Sequence, residues 1–140
     1  TCRNEREDTI LGTIHFGNVW PGNKLASTEV HYPQVLKGFH TFAVEWSPTQ
    51  ISWLIDGRIY ARRSAGEWFS GGSDKPGAPF DQPFHLILNL AIGGHLPEAR
   101  GLGGVDATGF PKRLEIDWVR VWRRNDDLPN SGSGNPGTGE

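Results

Sequence analysis

A chain of 140 residues, 36% hydrophobic and 21% charged, suits one soluble globular domain of ordinary size. Its net charge of -2 gives no electrostatic footing for nucleic acid or an acidic membrane surface, and no apolar run nears the roughly 20 residues that span a bilayer. Six Trp, no Met, 19 Gly and 10 Pro speak instead for short aromatic-rich strands joined by many turns, the composition of an all-β sandwich or barrel.

The sole cysteine, Cys2, has no partner for a disulfide within the chain. A start of Thr-Cys-Arg with no signal-like segment predicts a processed, excised or incomplete chain. Glu5, Glu7 and Asp8 sit among Arg3, Asn4 and Arg6, and a solvated turn is expected there. Residues 9–16 (TILGTIHF) read as a strand, with Leu11, Thr13 and His15 on one face and Ile10, Ile14 and Phe16 on the other. Residues 17–27 (GNVWPGNKLAS) read as a loop broken by Pro21-Gly22. Alternation returns in residues 39–46, where Phe42, Val44 and Trp46 share a face. A turn at 47–50 leads into a strand at 51–55 (ISWLI). Asp56-Gly57 is a strong hairpin signal, since Gly accepts and Asp tolerates the positive φ of a type I′ turn. A third strand over 58–63 completes a predicted antiparallel meander from about Phe39 to Arg63.

Residues 66–81 are an irregular Gly- and Pro-rich stretch carrying Trp68 and Phe69. The run 83–92 (PFHLILNLAI), apolar on both faces with Asn89 inside it, predicts a central buried strand. After a loop at 93–112, residues 114–122 (LEIDWVRVW) predict a last strand with Asp117 embedded. Residues 125–140 (NDDLPNSGSGNPGTGE) have the composition of a flexible linker, and no pattern supports a substantial helix.

Metal, nucleophile and phosphate-loop motifs are missing from the sequence: it holds no Cys-x-x-Cys, His-Glu-x-x-His or Gly-x-Ser-x-Gly. Glycoside hydrolysis needs two facing carboxylates. Glu45, Asp56, Glu115 and Asp117 lie on expected strands or turns, yet none has a context that nominates an active site.

Four segments in order, GTIHFG (12–17), GFHTFAVEWSPTQISWLIDG (38–57), PFDQPFHLILNLAIGG (79–94) and LEIDWVRVW (114–122), resemble successive landmarks of glycoside hydrolase family 16. Within it they look most like the laminarinase branch, which acts on β-1,3- and mixed β-1,3/1,4-glucans. The resemblance implies a concanavalin A-like β-jelly-roll sandwich with a substrate cleft on its concave face, in agreement with the all-β reading. It implies retaining hydrolysis through Glu-x-Asp-x-x-Glu on one strand: the first Glu is nucleophile, the last is acid/base, and the Asp tunes them. That signature normally lies shortly before the GTIHFG strand, and TCRNEREDTIL does not contain it. The expectation is therefore a C-terminal portion of the domain over residues 1–124, truncated on its N-terminal side, with no catalytic residue of its own, inactive alone and prone to self-association. β-Glucan polysaccharide is the implied partner, outside the cell, with a carbohydrate-binding module downstream of the linker. A non-catalytic β-1,3-glucan-binding recognition protein of the same fold is the alternative.

The resemblance also carries over some residues. His15 matches a cleft-facing histidine, fit to orient a carboxylate or bind a sugar hydroxyl; the bland alternative is a half-buried strand histidine. Trp20 is a candidate sugar-stacking platform or a cap on the sandwich. Asn89 matches a cleft-floor position and must hydrogen-bond a sugar or an internal partner. Trp68 is a further substrate-binding candidate. Asp117 matches a residue that contributes to a structural calcium ion, with a salt bridge to an arginine as the simpler alternative. No cofactor is implied for the chemistry itself. Trp46, Trp53, Trp118 and Trp122 are expected to be structural.

Overall fold

The structure is a computed structural model that describes residues 8–101 and 104–124. Cys2, Glu5, Glu7 and the linker expected at 125–140 lie outside the described residues. The chain divides into two compact units, residues 1–108 and 109–140.

The first unit is built on two antiparallel sheets. Strands β1 (Thr9–Gly17) and β2 (Asn23–His31) form a hairpin in unbroken register from Thr9↔His31 to Gly17↔Asn23. Strands β3 (Phe42–Trp46), β4 (Gln50–Ile55) and β5 (Arg58–Ser64) form the expected meander in the order β3-β4-β5. The β4–β5 turn is the two-residue Asp56-Gly57 connection, with φ of 48° and 77°, the positive values that a primed hairpin turn requires. A register shift between Trp53 and Leu54 adds one residue on β5.

Alternation on β1 turns Gly12 and Ile14 inward and leaves Leu11 and His15 exposed. The inward face meets the meander. Ile14 clusters with Ile51 and Trp68, all about 5% exposed, while Phe16, Ala26, Trp53, Ala65 and Phe80 pack around them. The Trp53 and Tyr60 rings lie so near Gly12 that a side chain there would meet them at 3.0 and 3.3 Å. Polar bonds at the rim also join the sheets. Tyr60 Oη donates to the Leu11 carbonyl at 3.3 Å, and the Arg63 guanidinium donates to the Ser27 carbonyl and to Thr28 Oγ1 at 3.2 and 2.8 Å.

β2 is a strand that sequence reading treated partly as loop. Of its inward positions Ala26, Thr28 and Val30, only Val30 is a sizeable apolar side chain, so the alternating apolar signal is weak. The contrary correction concerns residues 83–92, expected as a central buried strand. They form no ladder among the described residues, and Leu86, Ile87 and Leu88 are more than half exposed. A strand exists through backbone bonds to a neighbour, and no described strand forms such a ladder with this segment. Its apolar content shows what it would bury, not what covers it.

A short helix, α1 (His95–Ala99), follows, and Arg100 beyond it forms an ion pair with Glu29 of β2. In the second unit, residues 114–122 likewise form no ladder among the described residues, and the Arg120 guanidinium lies 4.9 Å from the centre of the Trp118 ring. Among the described residues no helix is long and apolar enough to cross a membrane.

Candidate functional site at the end of strand β1

β1 ends at Gly17, and the chain returns into β2 through residues 18–22, tightened by a bond from the Gly22 N–H to the Val19 carbonyl at 2.8 Å. This tip carries Trp20, 83% exposed. His15 stands two residues before the end of β1, exposed, and paired across the hairpin with Leu25. The same outward face holds Thr13 and Ser27, whose hydroxyls hydrogen-bond at 2.7 Å. His15 makes no hydrogen bond among the described residues, so its ring nitrogens are open to a ligand. An exposed indole offers the complementary surface, an apolar face that packs on the C–H face of a pyranose.

A second loop closes on the same strand end. The Gly17 N–H donates to the Phe69 carbonyl at 2.9 Å, the Gly71 N–H donates to the Gly17 carbonyl at 3.0 Å, and the Phe16 and Phe69 rings meet edge to face at 5.7 Å. Between the two loops lies an open depression of about 440 Å³ lined by Gly17, Asn18, Val19, Ser70, Gly71 and Gly72. Along the chain, 17–27 and 66–81 are separate segments. Only the backbone bonds at Gly17 reveal that they form one surface.

The other expected site residues are more scattered. Trp68 is 6% exposed, stacked edge to face on Phe80 at 5.1 Å, and its indole N–H has no partner among the described residues. It belongs to the core, though it also borders a depression of about 340 Å³ together with Ser73, Asp74 and Lys75. Asn89 is exposed within the irregular 83–92 segment, and no hydrogen bond among the described residues joins it to His15 or Trp20. Asp117 lies in the second unit. No group of three or more His, Cys, Asp or Glu able to hold a metal occurs among the described residues. Asp117 brings one carboxylate, and calcium takes six to eight oxygens, backbone carbonyls among them. Asp8, of the acidic run near the start, is taken up by His31 Nδ1 at 2.8 Å.

Comparison with known proteins decides the family: a profile described as glycosyl hydrolases family 16 matches residues 6–120. The chain belongs to family 16. That family has the jelly-roll fold, and the all-β architecture with antiparallel sheets is of this class. The chain is 34% identical over 126 residues to a glucan endo-1,3-beta-glucosidase of Niallia circulans, covering 87% of this chain and 18% of the relative. It is 38% identical over 120 residues to a beta-glucanase of Rhodothermus marinus, covering 83% and 40%. A beta-1,3-glucan-binding protein of Penaeus monodon is 26% identical over 145 residues, covering 86% and 40%. The chain thus spans less than half the length of these family 16 relatives. No solved structure matches it.

Proposed function

We propose that the chain forms one wall of a β-glucan-binding cleft in an extracellular enzyme that hydrolyses β-1,3- or mixed β-1,3/1,4-glucans with retention. The observation that carries this reading is the end of β1, where His15 and the 83%-exposed Trp20 are both presented outward on one hairpin. Relatives named for hydrolysing or binding such glucans support the choice of ligand. Asn89 is carried as a further sugar contact, and the Gly- and Ser-rich residues 125–140 as a linker to a carbohydrate-binding module.

Chemistry needs a nucleophile and an acid/base, and no Glu-x-Asp-x-x-Glu occurs in the 140 residues. A polypeptide of these 140 residues is expected to release no reducing sugar from laminarin; release above a blank would overturn its inactivity. Full-length protein is expected to be retarded in laminarin-containing gels, with most of the retardation lost in Trp20→Ala. Equal mobility with and without laminarin would overturn the glucan reading.

A non-catalytic glucan-recognition protein is the second reading, favoured by the Penaeus monodon relative, which aligns with 86% of the chain. Turnover separates the two. Oligosaccharide release by the full-length protein supports the enzyme, and retention without release supports the binder.

A further inference from the structure

Asn18 occupies an unusual position in the depression at the end of β1. Its side chain is bracketed by two glycines. A Cβ built on Gly71 would overlap the carboxamide oxygen, and one built on Gly22 would sit 2.9 Å from the Asn18 Cβ. Gly71 does not adopt a left-handed backbone, so a positive φ is not what calls for glycine there. What Gly71 supplies is room, and the Asn18 carboxamide fills it. The carboxamide is exposed and makes no hydrogen bond among the described residues, although it offers two donors and an acceptor. Beside it, Ser70 Oγ accepts one long bond from the Gly72 N–H at 3.4 Å and keeps its own O–H to give. The loop beneath is fixed by its two backbone bonds to Gly17, so these groups are positioned before any ligand arrives. A volume of about 440 Å³ lies within the range of small-ligand sites.

We propose that Asn18, held in place by the missing side chain of Gly71, hydrogen-bonds the hydroxyls of a glucosyl unit lodged between the 18–22 and 69–72 loops. This rests on the glucan reading above and assigns to that site a residue beyond Trp20 and His15. An amide that both donates and accepts matches the paired donor and acceptor character of a sugar hydroxyl, and Ser70 adds a second polar contact. Gly71 acts as a positioning residue, since the room it leaves is what seats the Asn18 carboxamide.

Calorimetric titration of the full-length protein with laminarihexaose tests this on four forms: wild type, Asn18→Ala, Gly71→Ala and the double variant. Loss of one neutral hydrogen bond predicts roughly fivefold weaker binding for Asn18→Ala. Gly71→Ala should lose about the same, because the new methyl displaces the carboxamide. The double variant should bind no more weakly than either single one, since without the carboxamide the methyl displaces nothing. Wild-type affinity in Asn18→Ala, or losses that multiply in the double variant, would overturn the proposal. Asn18 is exposed, so its variant folds and decides the matter even if Gly71→Ala does not. If Trp20→Ala weakens binding while Asn18→Ala leaves it unchanged, only this inference falls. No binding by wild type removes the glucan reading as well.

Discussion

Trp20 and Trp68 share a residue type and a Gly-rich loop setting, and the structure gives them opposite fates. Both occur where sequence periodicity has stopped, so no pattern distinguishes a buried indole from a presented one. Burial depends on what the loop folds against: Trp68 meets Ile14, Ile51 and Phe80, whereas Trp20 rides a hairpin tip. The cost of removal should follow. Trp68→Ala is expected to lose about 3–5 kcal/mol of stability through lost contacts and an unfilled cavity. Trp20→Ala should stay within about 0.5 kcal/mol of wild type. Thermal melts compare them directly, and a wild-type midpoint for Trp68→Ala would remove it from the core. Since the indole N–H of Trp68 has no acceptor among the described residues, Trp68→Phe should recover much of the loss. Alternation placed His15 on one strand face with Leu11 and Thr13, but did not say which of the two faces is outward. Asn18 was not legible, because its significance comes from Gly71, 53 positions along the chain.

Of the elements, the meander was the most legible, because Asp56-Gly57 and the 47–50 turn fix its register locally. Asp56 also ties the preceding segment to the hairpin. Its carboxylate accepts from His40 Nδ1 at 2.8 Å, from Tyr32 Oη at 2.8 Å and from the Thr41 N–H at 3.0 Å. His40 Nε2 lies 2.7 Å from the Gln34 carbonyl. Both ring nitrogens of His40 thus face acceptors, and the two bonds can coexist only in the doubly protonated ring. The Asp56 carboxylate, then the Gln34 carbonyl, raise the His40 pKa. His40, then the Thr41 N–H and the Tyr32 hydroxyl, hold the Asp56 pKa at about 2. Tyr32 is the third titrating group here, raised by its bond to Asp56 and countered by Arg58. A raised histidine contributes stability below its unfolded value of about 6.5, and that stability is lost as pH climbs through the folded value. A depressed aspartate contributes above its unfolded value of about 3.9, and that share is lost as pH falls toward 2. The clasp is therefore complete between about pH 4 and 6.5. Thermal midpoints should decline on the alkaline side of that window, and His40→Gln should flatten the decline. An unchanged alkaline slope in His40→Gln would rule out the clasp as its source.

For the whole molecule, composition and turn signals were enough for the all-β class, while the pairing of residues 83–92 and 114–122 was not legible. Apolar content predicts burial, but a ladder needs a named neighbour, which no single segment encodes. The face of the meander that packs on β1 continues across β3, where Phe42, Val44 and Trp46 sit opposite Ile55, Trp53 and Ile51 yet remain about half exposed. Trp46 is partly engaged through its indole N–H, which donates to the Phe80 carbonyl at 2.8 Å, and its ring meets Phe84 edge to face. β3 also has an edge without a ladder partner among the described residues. A polypeptide of these 140 residues should therefore self-associate, as an exposed apolar face with an open strand edge invites. Sedimentation velocity checks this, and a monomer at all concentrations would contradict it. The backbone bonds at Gly17 have one more consequence, for how such a domain can diverge. Because the 18–22 tip and the 69–71 loop are sewn to the same strand end, neither can change length or be exchanged between relatives without refitting the other. The two loops, some 50 residues apart, should be inherited as one cassette.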